Sequence, residues 1–172
     1  MTCRKFVFVA PAVLALSLAA CGGSSSDSGP IGCPTPFTVQ DADRLTHFKE
    51  GPGRDPRDIE YEAALAGSGT RCEASRNQVN VTLLMRVTVS AGPSVSAGTT
   101  RVPYFVRVLD ASGNVVQGQE FTADFRLSTG SPRGSSQEEL SLSVPRDGGG
   151  YRIAIGLKPT PEELNYNRRG RQ

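Results

Sequence analysis

From residue 59 onward, apolar and polar residues alternate along this chain with a period of two. "NQVNVTLLMRVTVSAG" puts Val79, Val81, Leu83, Met85, Val87 and Val89 on one face and Asn80, Thr82, Arg86, Thr88 and Ser90 mostly on the other. That is the pattern of a half-buried strand, in which successive side chains point to opposite faces. "NVVQGQEFTADFRLS" repeats it, setting Val115, Phe121, Ala123, Phe125 and Leu127 against Glu120, Thr122, Asp124, Arg126 and Ser128. "LSLSVP" alternates through Leu140, Leu142 and Val144, and "YRIAIGL" through Tyr151, Ile153, Ile155 and Leu157. "IEYEAAL" offers Ile59, Tyr61, Ala63 and Leu65, and "TRCEA" around Cys72 is a short candidate. With "TTRVPYFVRVL" the count reaches about seven strands.

Turn residues fall between these runs. "DASGN" at 110–114 reads as a hairpin in which Gly113 and Asn114 can take positive φ, and "STGSPRGSS" and "RDGGG" are further breakers. Strands with a single apolar face need a second layer to bury it, so the expected fold is all-β: an antiparallel β-sandwich, immunoglobulin-like or fibronectin-like. It lacks the Cys, Trp and Cys signature of antibody domains. A small closed barrel is the alternative. Helix is sparse. "TVQDADRLTHF" is compatible with a short helix or turn, while "TPEELNYNRR" predicts a short C-terminal helix. Thr160 is its N-cap, Pro161 its first residue, and Glu163 completes a capping box.

The N-terminus follows another logic. Arg4 and Lys5 precede fifteen mostly apolar residues, Phe6 to Ala20, which end in small ones. This is the layout of a secretory signal. As a helix the run would reach only about 22 Å, short of the ~30 Å hydrocarbon core. Leu18, Ala19, Ala20, Cys21 and Gly22 resemble the lipobox of bacterial lipoproteins. The resemblance implies that residues 1–20 are removed and that Cys21, lipidated, becomes the first residue of a membrane-anchored chain. Two or more acyl chains hold a protein stably at a bilayer, whereas one holds it marginally. Gly22, with no Asp at that position, resembles the class sorted to the outer membrane rather than the inner. The expected location is therefore the bacterial envelope, facing the periplasm.

Cleavage would change the composition. Of 172 residues 152 remain, enough for one domain with a core. Without Arg4 and Lys5 the 19 basic residues become 17, matching 17 acidic ones. A neutral domain without Trp gives no electrostatic case for nucleic acid. Of four cysteines, Cys3 leaves with the signal and Cys21 takes lipid. Cys33 and Cys72 are left in an oxidising compartment as an expected disulfide, with two buried thiols as the alternative. Residues 21–32, "CGGSSSDSGPIG", read as a flexible tether of ~17–20 Å r.m.s. reach. The sandwich is then expected over 33–165 and a basic tail over 166–172.

"LTHFKEGPGRDPRDIEYEA", "VPYFVRVLDASGNV" and "PTPEELNYNRR", behind a lipobox, resemble a family of small uncharacterised proteobacterial lipoproteins. The resemblance implies the same address and carries no assigned activity.

Candidate chemistry is thin. Charged residues crowd His47 to Glu62, consistent with a recognition loop or a solvated connection. Asp55 and Asp58 do not have calcium-loop spacing, and two sulfurs with one histidine cannot complete a zinc shell. No metal and no cofactor are assigned. His47 is the only histidine, so any nucleophilic mechanism must use it, yet no nucleophile elbow accompanies it. "DGGG" at 147–150 precedes a strand rather than a helix, which favours a hairpin turn over a phosphate cradle. Pro103, beside Tyr104, suggests an edge strand or a bulge that either accepts or repels a partner strand. Arg168, Arg169 and Arg171 form a basic end suited to anionic lipid or an acidic neighbour. The expectation is a non-enzymatic interaction or accessory module with an envelope protein as partner. A glycan-binding or small-ligand module is the alternative, and an enzyme comes third.

Overall fold

The computed structural model describes residues 32–147 and 150–169. The lipobox with Cys21, nearly all of the tether, and Arg171 lie outside them. Eight strands and one helix follow in order: β1 Pro36–Thr38, β2 Arg44–Phe48, β3 Ile59–Ala74, β4 Gln78–Ala91, β5 Gly98–Leu109, β6 Val115–Leu127, β7 Arg133–Pro145, β8 Arg152–Leu157 and α1 Pro161–Arg169. They build two four-stranded sheets, β1-β8-β5-β6 and β2-β3-β4-β7. The molecule is a β-sandwich.

The core lies where the alternation put it. All six predicted positions of β4 are at most 4 % exposed, and Val102, Tyr104, Val106 and Val108 of β5 face them from the other sheet with Ile153, Ile155 and Leu157 of β8. At ~25 cal/mol per Å² of apolar surface removed from water, this packing is the main stabilising term. Every pairing is antiparallel except that of β1 with β8.

Several local expectations are corrected. Eight strands form where about seven were expected: Pro36–Thr38 was unforeseen, and Arg44–Phe48 is a strand where a helix or turn was expected. "TRCEA" is no separate strand but the end of the 16-residue β3, which passes through a bulge at Gly67, φ 147°. β7 begins at Arg133, so the breaker before it shrinks to the turn Ser128 to Ser131. In the 110–114 hairpin Gly113 takes φ 87° while Asn114 stays at negative φ, its amide donating to Asp110 Oδ1 at 2.9 Å. Val115 shares the sequence parity of the core face but is 53 % exposed, because a register shift at the start of β6 sets it opposite Leu109, on the other face from Val108. In an immunoglobulin sandwich the last two strands are neighbours in one sheet. Here β7 and β8 belong to different sheets and do not form the hairpin expected around "DGGG", of which Gly148 and Gly149 lie outside the described residues.

Strand directions sort the connections into two ends. One end gathers the incoming chain before β1, the β3–β4 hairpin at 75–77, the β5–β6 hairpin at 110–114, the end of β7 and the start of β8. The other gathers the 49–58 loop, the 92–97 and 128–132 connections, and α1.

Candidate functional site

At the helix-bearing end, α1 closes over β2. The predicted capping box is formed: the Thr160 amide donates to Glu163 Oε2 at 2.7 Å, and the Glu163 amide donates to Thr160 Oγ1 at 3.3 Å. Glu163 is 5 % exposed. Its second oxygen, Oε1, lies 2.7 Å from His47 Nδ1 on β2. His47 is opposite Tyr61 in the β2–β3 ladder, and their rings stack with centroids 4.8 Å apart. The other ring nitrogen, Nε2, stands 3.9 Å from Glu60 Oε2.

The electrostatics follow from this geometry. The hydrogen bond to Glu163 raises the His47 pKa above its ordinary value; burial opposes the rise, and the charges of Glu163 and Glu60 add to it. Burial would push the Glu163 carboxyl up, but the hydrogen bonds from His47 and the Thr160 amide outweigh it and hold the group below the usual glutamate value. His47 and Glu163 thus form an imidazolium–carboxylate pair over mildly acidic pH.

A second contact set surrounds Phe48. Tyr166 of α1 meets its ring edge-on at 4.9 Å, and the Arg54 guanidinium stands 5.4 Å from the ring centroid. Arg54 donates to the carbonyls of Gly51 at 2.9 Å and Gly53 at 2.6 Å and pairs with Glu162. Helix, loop and strand are therefore joined around one aromatic ring. Both loop aspartates are engaged locally: Asp55 caps the short turn Pro56–Asp58, and Asp58 meets Lys49 at 2.8 Å. These pairs make the 49–58 segment a braced connection.

Two open depressions flank the His47–Glu163 pair. One, about 460 Å³, is bordered by His47, Glu60, Tyr61, Thr100, Arg101 and Lys158; the other, about 490 Å³, by Phe48, Lys49, Arg54, Thr160 and Glu162. Of the aromatics considered for a ligand surface, Tyr61, Tyr104, Phe105, Phe121, Phe125, Tyr151 and Tyr166, only Tyr61 borders either depression. A carboxylate on Nδ1 is the arrangement that orients a histidine base. Among the described residues no serine, threonine or cysteine is hydrogen-bonded to the ring, and general-base chemistry needs such a partner or a water-held substrate within reach. No three His, Cys, Asp or Glu side chains among the described residues gather as a metal would require.

The other candidate residues are dispersed. Cys33 and Cys72 are bonded, Cα to Cα 5.7 Å, and clip the segment leading into β1 of one sheet to β3 of the other. Pro103 lies in β5, an interior strand and not an edge. Its carbonyl accepts from Lys158 at 2.9 Å, so its missing N–H faces the side where the β8 ladder has just ended at Leu157. Tyr104 is 1 % exposed, with its hydroxyl donating to Glu138 Oε2 at 2.9 Å, and offers no surface to a partner. Arg168 and Arg169 are not a tail but the last turn of α1, where the helix dipole favours cations. Arg168 Nε donates to Asp41 Oδ2 at 2.9 Å.

The contact between His47 and Glu163, 116 residues apart, had no signal in the sequence beyond the capping box itself. Set against models of protein families, curated proteins and solved structures, the chain matches none.

Proposed function

We infer that this chain is a lipid-anchored module of the bacterial envelope, held by Cys21 on the periplasmic side of the outer membrane, and that it works without catalysis by engaging an envelope protein. The observation that carries this reading is the Cys33–Cys72 bond, twelve residues past the lipobox cysteine. Disulfides persist in oxidising compartments and are rare in the cytosol. The resemblance of 18–22 to a lipobox supports the same address, and the exposed, locally paired charges of the helix-bearing end suit a polar protein partner.

Labelling cells with radioactive palmitate tests the anchor. Label should enter the native chain and vanish with Cys21→Ser, which should also release the protein from membranes. Crosslinking in intact cells should then capture a recurring envelope protein. Persistence of the serine variant on membranes, or repeated absence of any partner, removes this reading. A glycan or small-ligand module is the second reading, favoured by the depression beside His47 and Tyr61. Ligand-dependent stabilisation of the purified chain would bring it forward.

A further inference from the structure

Among the described residues the exposed large apolar side chains are Phe37, Val115 and Val116, at 36 %, 53 % and 55 %. All three lie towards one end of the sandwich, on one sheet. Val115 pairs with Leu109, and Leu109 with Arg152 at the start of β8. Phe37, on β1, pairs with Ala154 two residues further along, and the Arg152 guanidinium stands 5.4 Å from its ring centroid.

The same end exposes Arg76 and Arg146, the latter anchored by its amide to the Asn77 carbonyl at 3.0 Å. Of the acids at this end, Asp110 accepts from the Asn114 amide at 2.9 Å and Asp147 from the Tyr151 hydroxyl at 3.2 Å, and Glu73 near the end of β3 is exposed. Exposed apolar side chains with the Arg152 guanidinium beside them, and further arginines at the same end, match a phospholipid boundary, with valine and phenylalanine at the acyl margin and arginine among the phosphates.

This is also the end through which the chain enters. Cys33 precedes β1 by three residues and is bonded to Cys72 near the end of β3. Resting on the reading that Cys21 carries lipid, the twelve residues from Cys21 to Cys33 span at most ~40 Å fully stretched. From Val81, opposite Cys72, β4 runs ten residues to Ala91 at the helix-bearing end, ~33 Å. At its r.m.s. reach of ~17–20 Å such a tether is shorter than this distance, so the entry end is the one held nearest the bilayer.

We propose that the end carrying Phe37, Val115 and Val116 rests on the phospholipid surface of the anchoring membrane. The sandwich stands on that surface and presents α1 and the His47–Glu163 pair outward to a protein partner.

The chain has no tryptophan, which makes a clean probe possible. The lipidated protein carrying Val116→Trp, and separately Asn165→Trp on α1, is reconstituted into phosphatidylethanolamine–phosphatidylglycerol vesicles with brominated acyl chains. Co-flotation and palmitate content are read on the same samples. The expected result is severalfold stronger bromine quenching at position 116 than at 165. Flotation with position 116 unquenched, or with both positions quenched alike, overturns the orientation while leaving the anchor intact. Blue-shifted but unquenched emission at 116 means that a second copy covers the valines, and overturns it too. Failure to float, with no palmitate, overturns the anchor and the orientation together.

Discussion

Glu163 divides its carboxylate between two tasks: Oε2 receives the Thr160 amide that begins α1, and Oε1 receives His47 Nδ1 from β2, at 2.7 Å each. One buried side chain thus starts the helix and fastens it to the sheet.

The first expectation is a pH dependence. His47, raised above 6.5, contributes stability that is complete below that value and lost as pH rises through its folded pKa. Glu163, lowered below 4.5, contributes stability present above that value and lost as pH falls through its folded pKa. Both contributions coexist between 4.5 and 6.5. His47 is 41 % exposed, so solvent screening trims the pair to about 1 kcal/mol. In urea titrations His47→Gln should lose about that much at mildly acidic pH and clearly less in alkali. A loss independent of pH would falsify the ion-pair account.

Glu163→Ala should cost more than His47→Gln, about 2 kcal/mol, because it removes the reciprocal half of the capping box as well as the partner of His47. Circular dichroism and limited proteolysis should report a looser C-terminal helix while the sheets persist. In a double-mutant cycle with His47→Ala the two losses should fall short of additivity. Simple addition would mean that the two side chains act separately.

Reducing the Cys33–Cys72 bond opens a loop 39 residues long and should lower stability by about 4 kcal/mol in the chain-entropy account. The paired serine variant should show the same fall in thermal midpoint, and reductant should then have no further effect on it. An unchanged midpoint would show that β1 docks without its covalent clip.

Gly156 in β8 lies under other side chains: a Cβ there would come within 2.5 Å of Phe105 Cζ and 2.7 Å of the Ala42 Cβ. Gly156→Ala should cost about 1–3 kcal/mol by overpacking. Adding Phe105→Leu should recover part of that loss by making room. No recovery would place the strain elsewhere.

The sandwich was legible in the sequence because β4, β5 and β8 hold one apolar face over many residues, and a period of two leaves little ambiguity. β2 was not. Its bulge between His47 and Phe48 buries Leu45 and Phe48 three residues apart, a spacing that imitates a helix. The first half of β7, "RGSSQEE", carries no large apolar residue to mark it: Gly134 lies where a Cβ would meet Phe125 Cδ1 at 2.8 Å, and Glu138 is turned to the Tyr104 hydroxyl. Pro103 misled because a proline tolerates an interior strand at the one position where the neighbouring ladder stops. The capping box was readable from local spacing. That its carboxylate also reaches the sole histidine is a product of tertiary folding, which no local pattern encodes.

The bond from Cys33 to Cys72 also defines a route for mechanical load. Tension arriving along the backbone before Cys33 can pass through sulfur directly into β3, bypassing the 38 residues between the two cysteines. The three-residue β1, which three rungs of hydrogen bonding could not hold against a steady pull, is shielded from being peeled away, together with β2 and the braced loop around Arg54.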